Sequence, residues 1–254
     1  MLHSFSDIDV SIAGNSFKAT SAEISSSQDI QKVSVPGYKG VLGTSFSGKP
    51  KASGSFSFLG GAPSRPVDFS DIENSKVSVS VGPVSGEGIL TSVSVSVQPN
   101  QPVSGSATYE FLNGISGDLG DSYSSSSNSN LGRDDIFDGG HGSASEGAKF
   151  EASYSFSMSL GEILLLGEYE PEYIYVSDAE ESITISGDDI GGKIDGPVEL
   201  CSEGVEQTLS FTIKSLCGVF SQEYSVTGVV VESKISVGEN GEVSGSITVK
   251  KHLV

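Results

Sequence analysis

Residues 96–108, reading Ser-Val-Gln-Pro-Asn-Gln-Pro-Val-Ser-Gly-Ser-Ala-Thr, recur as residues 236–248, Ser-Val-Gly-Glu-Asn-Gly-Glu-Val-Ser-Gly-Ser-Ile-Thr, with eight of thirteen positions identical and no gap. Chance matches come easily in a Ser-rich chain, so the shared register carries more weight than the identities. Apolar positions fall on the same parity in both copies. The repeat therefore reads as one β-rich unit present twice. Two like units carry like edges, which can join side by side within a chain and again between chains, the way rings and tubes are built.

The flanks of both copies alternate with period two, the signature of a half-buried strand. Val93, Val95 and Val97 fall on one side and Ser92, Ser94 and Ser96 on the other. After the loop, Val103, Ala107, Tyr109 and Phe111 continue the apolar side, while Ser104, Ser106, Thr108 and Glu110 continue the polar one. This predicts a long hairpin with one apolar face. In the second copy the apolar side is expected to hold Val229, Val231, Ile235, Val237, Val243, Ile247 and Val249, with Asn240-Gly241 suited to a type I′ turn.

Weaker echoes extend the repeat. Residues 17–26 resemble residues 150–159 at a displacement of 133, and the strand-like residues 51–58 carry the Ser-Gly-Ser motif a third time. Further short strands are expected over residues 76–81, 162–166, 173–176, 182–186, 207–213 and 223–226. Residues 113–147 are dominated by Gly, Ser, Asn and Asp, too polar to offset their ordering entropy by burial, and read as a linker or exposed loop. The expected organisation is a first β unit over residues 1–112, a linker over 113–148 and a second β unit over 149–254. The fold class is all-β: tandem β-sandwich or barrel-like units, with long hairpins that complete an intersubunit β-barrel.

Composition narrows the function. With 14 basic against 33 acidic side chains the net charge is −19, which opposes phosphate binding. The excess is confined to the later part. Residues 1–76 carry seven basic and seven acidic groups, which leaves seven basic and twenty-six acidic for residues 77–254. Hydrophobic residues make up only 36% and Trp is absent, so the core per residue is thin and neighbouring subunits are expected to complete it. The amino terminus lacks a basic and apolar leader pattern, and no run of 18 apolar residues occurs. Synthesis in a cytoplasm with no membrane partner is the corresponding expectation. Cys201 and Cys217 read as two free thiols or as a pair, and their spacing does not decide between these.

Chemical motifs are few. Residues 43–50 imitate a phosphate-binding loop, but Pro50 stands where a hydroxyl should hold magnesium, and a β-turn before a strand is the expected structure. His3, His141 and His252 have no regularly spaced Cys or Asp partner. The carboxylate pairs Asp134-Asp135, Glu180-Glu181 and Asp188-Asp189 adjoin loop-like sequence and read as solvated turns, with weak calcium binding as the lesser alternative. The reading is that the chain is not an enzyme and needs no catalytic residue, cofactor or metal.

Taken together, the Ser-Val hairpin, its Pro-Val-Ser-Gly-Ser continuation and residues 5–14 (Phe-Ser-Asp-Ile-Asp-Val-Ser-Ile-Ala-Gly) resemble the tail-tube proteins of tailed bacteriophages. Residues 89–111 and 229–251 carry the resemblance, residues 17–58 more loosely. It implies a structural virion subunit whose hairpins close a ring of three or six chains. Rings would stack into a conduit through which DNA passes without specific binding, alongside sheath, tape-measure and baseplate partners. Ser92, Ser94, Ser104, Ser106, Glu110, Glu232, Ser244 and Ser246 are the candidates for the lumen face. Two alternatives are a related ring component (distal-tail, tail-terminator or baseplate protein) and a surface adhesin or carbohydrate-binding β-sandwich.

Overall fold

The computed structural model describes residues 8–33, 43–59, 63, 65, 69–98, 103–112, 114–117, 137–140, 150–164, 171–188, 206–215, 221–237 and 243–254. Alternation of small hydroxyl residues with Val, Ile, Phe and Tyr buries one face only when the backbone is extended. Accordingly, the described residues form strands, one short 3-10 turn (Ile72–Ser75) and no α-helix. The strands are β1 (Ile8–Ile12), β2 (Asn15–Val33), β3 (Gly43–Leu59), β4 (Val77–Val81), β5 (Val84–Val97), β6 (Ser104–Phe111), β7 (Phe137–Gly140), β8 (Phe150–Leu164), β9 (Pro171–Asp188), β10 (Glu206–Ser215), β11 (Ser221–Val237) and β12 (Val243–His252).

They form one antiparallel sheet in the order β4-β1-β2-β3-β6-β5-β8-β9-β12-β11-β10-β7, with a further β4–β5 pairing. The order contains one pattern twice: β2-β3-β6-β5 is answered by β8-β9-β12-β11. The hairpins agree residue for residue. Ser92↔Thr108 and Ser96↔Ser104 match Glu232↔Thr248 and Ser236↔Ser244 at a displacement of 140, and the same displacement relates the bulges at Leu90/Ser92 and Val230/Glu232. In the first half β4 pairs with β1 along one edge and β5 along the other, so hydrogen bonding returns on itself. In the second half β10 pairs with β11 and β7.

The two halves meet through strand edges. Residues 92–97 of β5 pair with residues 157–152 of β8, placing Val93, Val95 and Val97 opposite Phe156, Tyr154 and Ala152, all buried. One core cluster runs through both halves. The segment before β4 covers the apolar face of the second half. Phe69 meets Phe156 with ring centroids 6.2 Å apart, Arg65 Nε lies 2.7 Å from Glu181 Oε2, and the Ile174 amide donates to Glu73 Oε1 at 3.3 Å. Tyr154 on β8 reaches Tyr224 on β11 at 5.0 Å although β9 and β12 lie between them in the pairing order, so this sheet curls over its own apolar face.

Several expectations need correction. Residues 43–50 are the start of strand β3 and not a turn. Glu180 and Glu181 lie within β9 and not in a loop. The separate segments 173–176 and 182–186 are one 18-residue strand. Residues 137–140 inside the expected linker form β7 and pair with β10. Val229 does not share the face of Ile235, because the bulge at Val230/Glu232 reverses parity: Val229 pairs with Lys250 of the polar face, whereas Ile235 pairs with Gly245 on the other, and Val231 is the extra residue of the bulge. Cys201, Cys217, His3, His141, the Asn240-Gly241 turn, Asp134-Asp135 and Asp189 lie outside the described residues.

Candidate functional site

A strand's pleat sends alternate side chains to opposite faces, so pairing partners across a sheet share a face. Following one row across six strands gives Ser21, Ser57, Ser106, Ser94, Ser155 and Ser182, each the register partner of the next, ending on Lys250. This row crosses the β5–β8 joint without interruption. Adjacent rows have the same character: Glu23, Ser55, Thr108, Ser92, Ser157 and Glu180 on one side, and Ser104, Ser96, Ser153, Thr184, Thr248 and Glu232 on the other. Neighbouring hydroxyls satisfy one another across the strands. Ser94 and Ser106 are 2.8 Å apart, Ser155 and Ser182 2.8 Å, and Thr184 and Thr248 2.9 Å.

Register places all eight candidates on this one face. Ser92, Ser94, Ser104, Ser106 and Glu110 lie in the first hairpin. Glu232, Ser244 and Ser246 lie in the second, where Ser246 joins the row Glu151, Ser186, Ser246, Lys234. No cleft gathers them; they are spread over a surface. Sequence reasoning left out the serines of β3, β8 and β9 that fill the middle of the face. Their signal was present as the alternation of residues 152–159, Ala-Ser-Tyr-Ser-Phe-Ser-Met-Ser, with every odd position a serine.

The face is acidic but holds lysine. Glu23, Glu110, Glu151, Asp178, Glu180 and Glu232 share it with Lys51, Lys234 and Lys250. Lys250 Nζ bridges both oxygens of Glu180, at 2.9 and 3.1 Å, which offsets its charge locally. Glu181, next in sequence, points to the opposite face, where it is 2% exposed and held by Arg65. Burial raises the Tyr154 phenol pKa, and the Glu181 charge adds to the rise against an opposing contribution from Arg65. Burial alone raises that of Tyr109. Among the described residues no group of three or more His, Cys, Asp or Glu side chains is arranged to hold a metal ion.

Chemically, the described residues of this surface offer hydroxyls paired with one another across the strands and carboxylates that repel anions. No protein-family model and no curated protein sequence matches the chain.

Proposed function

We propose that this chain is the structural subunit of a bacteriophage tail tube, whose copies form stacked rings with the hydroxyl-rich face turned to a water-filled lumen that conducts DNA. The observation that carries the reading is the β5–β8 joint: two halves of like strand order lie edge to edge in one sheet, and a single polar face runs across both. Repetition of that joint between chains extends the sheet, and closure into a ring removes the exposed edges that long Ser-Val ribbons otherwise offer for aggregation.

A lumen of this composition suits transit. Small hydroxyls that bond to one another give phosphates little to grip, and the surrounding carboxylates repel them within a Debye length of ~8 Å at physiological salt. Lys250, clamped by Glu180, adds little attraction. The ring would hold three or six chains, with sheath, tape-measure and baseplate proteins as neighbours in the virion tail, and the DNA would meet no base-specific contact.

Negative-stain electron microscopy of the purified chain at high concentration tests the proposal. Rings or tubes of uniform bore are the expected result, and a chain that stays monomeric at all concentrations overturns it. Single rings that never stack, present once per particle, would assign the chain to a tube-capping component instead.

A further inference from the structure

Among the described residues, the internal joint leaves one strand edge without a flanking strand at each end of the duplicated sheet, and the two edges match. In the first half, residues 84–88 of β5 pair with β4, and residues 92–97 run on to pair with β8. In the second half, residues 221–229 of β11 pair with β10, but residues 232–237, the counterparts of 92–97, face no described strand along that edge. At the other end, β2 pairs with β1 only over residues 15–19, and no described strand flanks residues 22–27 on that side.

Burial distinguishes the used edge from the unused one. Val95 and Val97, under the joint with β8, are 1% and 4% exposed; their counterparts Ile235 and Val237 are 55% and 69% exposed. Apolar side chains at the same register of the same ribbon, covered in one copy and bare in the other, mark a surface lacking its partner. The internal joint identifies that partner, since the strand that pairs with residues 92–97 of β5 is β8, and the counterpart of β8 is β2.

We infer that residues 232–237 of β11 pair antiparallel with residues 22–27 of β2 in a second copy of this chain, repeating the β5–β8 joint between molecules. The register follows from the rows. Lys234, Ser246, Ser186 and Glu151 correspond to Ser94, Ser106, Ser57 and Ser21, so Ser25 corresponds to Ser155, and the pair Ser94↔Ser155 becomes Lys234↔Ser25. By the same step Val95↔Tyr154 becomes Ile235 opposite Ile24, and Val97↔Ala152 becomes Val237 opposite Ala22. Parity agrees independently, because half-buried Ala22 and Ile24 stand on the apolar face of β2 and Ile235 and Val237 on that of β11. On the polar face Lys234 falls diagonal to Glu23, within reach of an ion pair. The contact is heterologous, head to tail, and therefore generates a ring when its rotation closes and a filament when it does not.

This joint specifies the partner surface of the ring proposed above and rests on that reading. The experiment uses the full chain with Cys201→Ser and Cys217→Ser. Molecules carrying only Ile24→Cys are mixed with molecules carrying only Ile235→Cys and oxidised, and the cross-linked species are weighed by mass spectrometry. The expected product is the mixed disulfide, well above its statistical share over either like-with-like dimer, with a marked loss when Ile24→Cys is replaced by Ser21→Cys, on the opposite face. Because Ile235 and Val237 are exposed in the lone chain, Ile235→Lys with Val237→Lys should leave the fold and its melting unchanged while weakening self-association about a hundredfold. Rings that form without the mixed disulfide and tolerate both lysines would overturn this joint and leave the tube reading standing. Open filaments or dimers that do give the mixed disulfide would support the joint and sink the tube. A chain that never associates overturns both.

Discussion

Glu181 is a buried carboxylate on an apolar face whose charge is met by Arg65, 116 positions away in sequence. Removing one partner strands a buried charge, which costs more than the pair contributes. Arg65→Met should lower stability by ~3 kcal/mol in urea unfolding, and adding Glu181→Leu should recover most of the loss. The tyrosines set an alkaline limit. Burial raises the phenol pKa of Tyr109 and Tyr154 in the folded chain, so their contribution is fully present below the unfolded value of about 10 and is lost as pH rises through the folded values. Unfolding midpoints measured from pH 8 upward should hold until about pH 10 and then fall, with a shallower fall in Tyr154→Phe. Gly228 is a packing requirement: a Cβ there would collide with the Lys250 carbonyl oxygen. Gly228→Ala should cost about 2 kcal/mol in the same assay.

At the scale of elements, the two hairpins show what alternation can and cannot convey. Period two makes one side of each ribbon Ser and Thr and the other Val and Ile, so their existence and polar faces are legible without coordinates. The bulges at Leu90/Ser92 and Val230/Glu232 are not, because an extra residue in a strand leaves no local compositional mark when it is itself a β-branched strand former, as Thr91 and Val231 are. Yet those bulges decide which face each upstream half presents, which is why alternation alone places Val229 on the wrong side. Deleting Val231 should turn Tyr224 and Val226 toward water or force the hairpin out of register. A loss of about 3 kcal/mol or more is expected, read as a large drop in melting temperature. Strand β9 reads as two pieces in the sequence because Ser177-Asp-Ala-Glu-Glu181 resembles a loop. Its charges are tolerated there because Lys250 and Arg65, contributed by distant segments, meet them.

For the whole molecule, charge and edges pull in opposite directions. Copies carrying −19 repel one another over distances longer than any contact, while the proposed joint between β2 and β11, whose outer edges no described strand flanks, would reward association only at close range. Added salt shortens the repulsion and leaves apolar burial and ladder hydrogen bonds largely intact. Assembly should therefore be weak at low ionic strength and increase toward physiological salt, a trend sedimentation velocity would register. A decrease with added salt would mean that ion pairs, and not strand edges, hold the copies together.

The amino-acid order by itself determined that the chain is all-β, that one ribbon occurs twice, and which faces of the first ribbon are polar. These are properties of spacing along an extended backbone, where side-chain direction repeats every second residue. Only the tertiary structure decided that β5 meets β8, that among the described residues no strand flanks 232–237 or 22–27 on their outer side, and that Arg65 covers Glu181. A strand edge presents the same N–H and C=O groups whatever its side chains, so its partner is selected by the path of the intervening chain and by which apolar surfaces come to lie together.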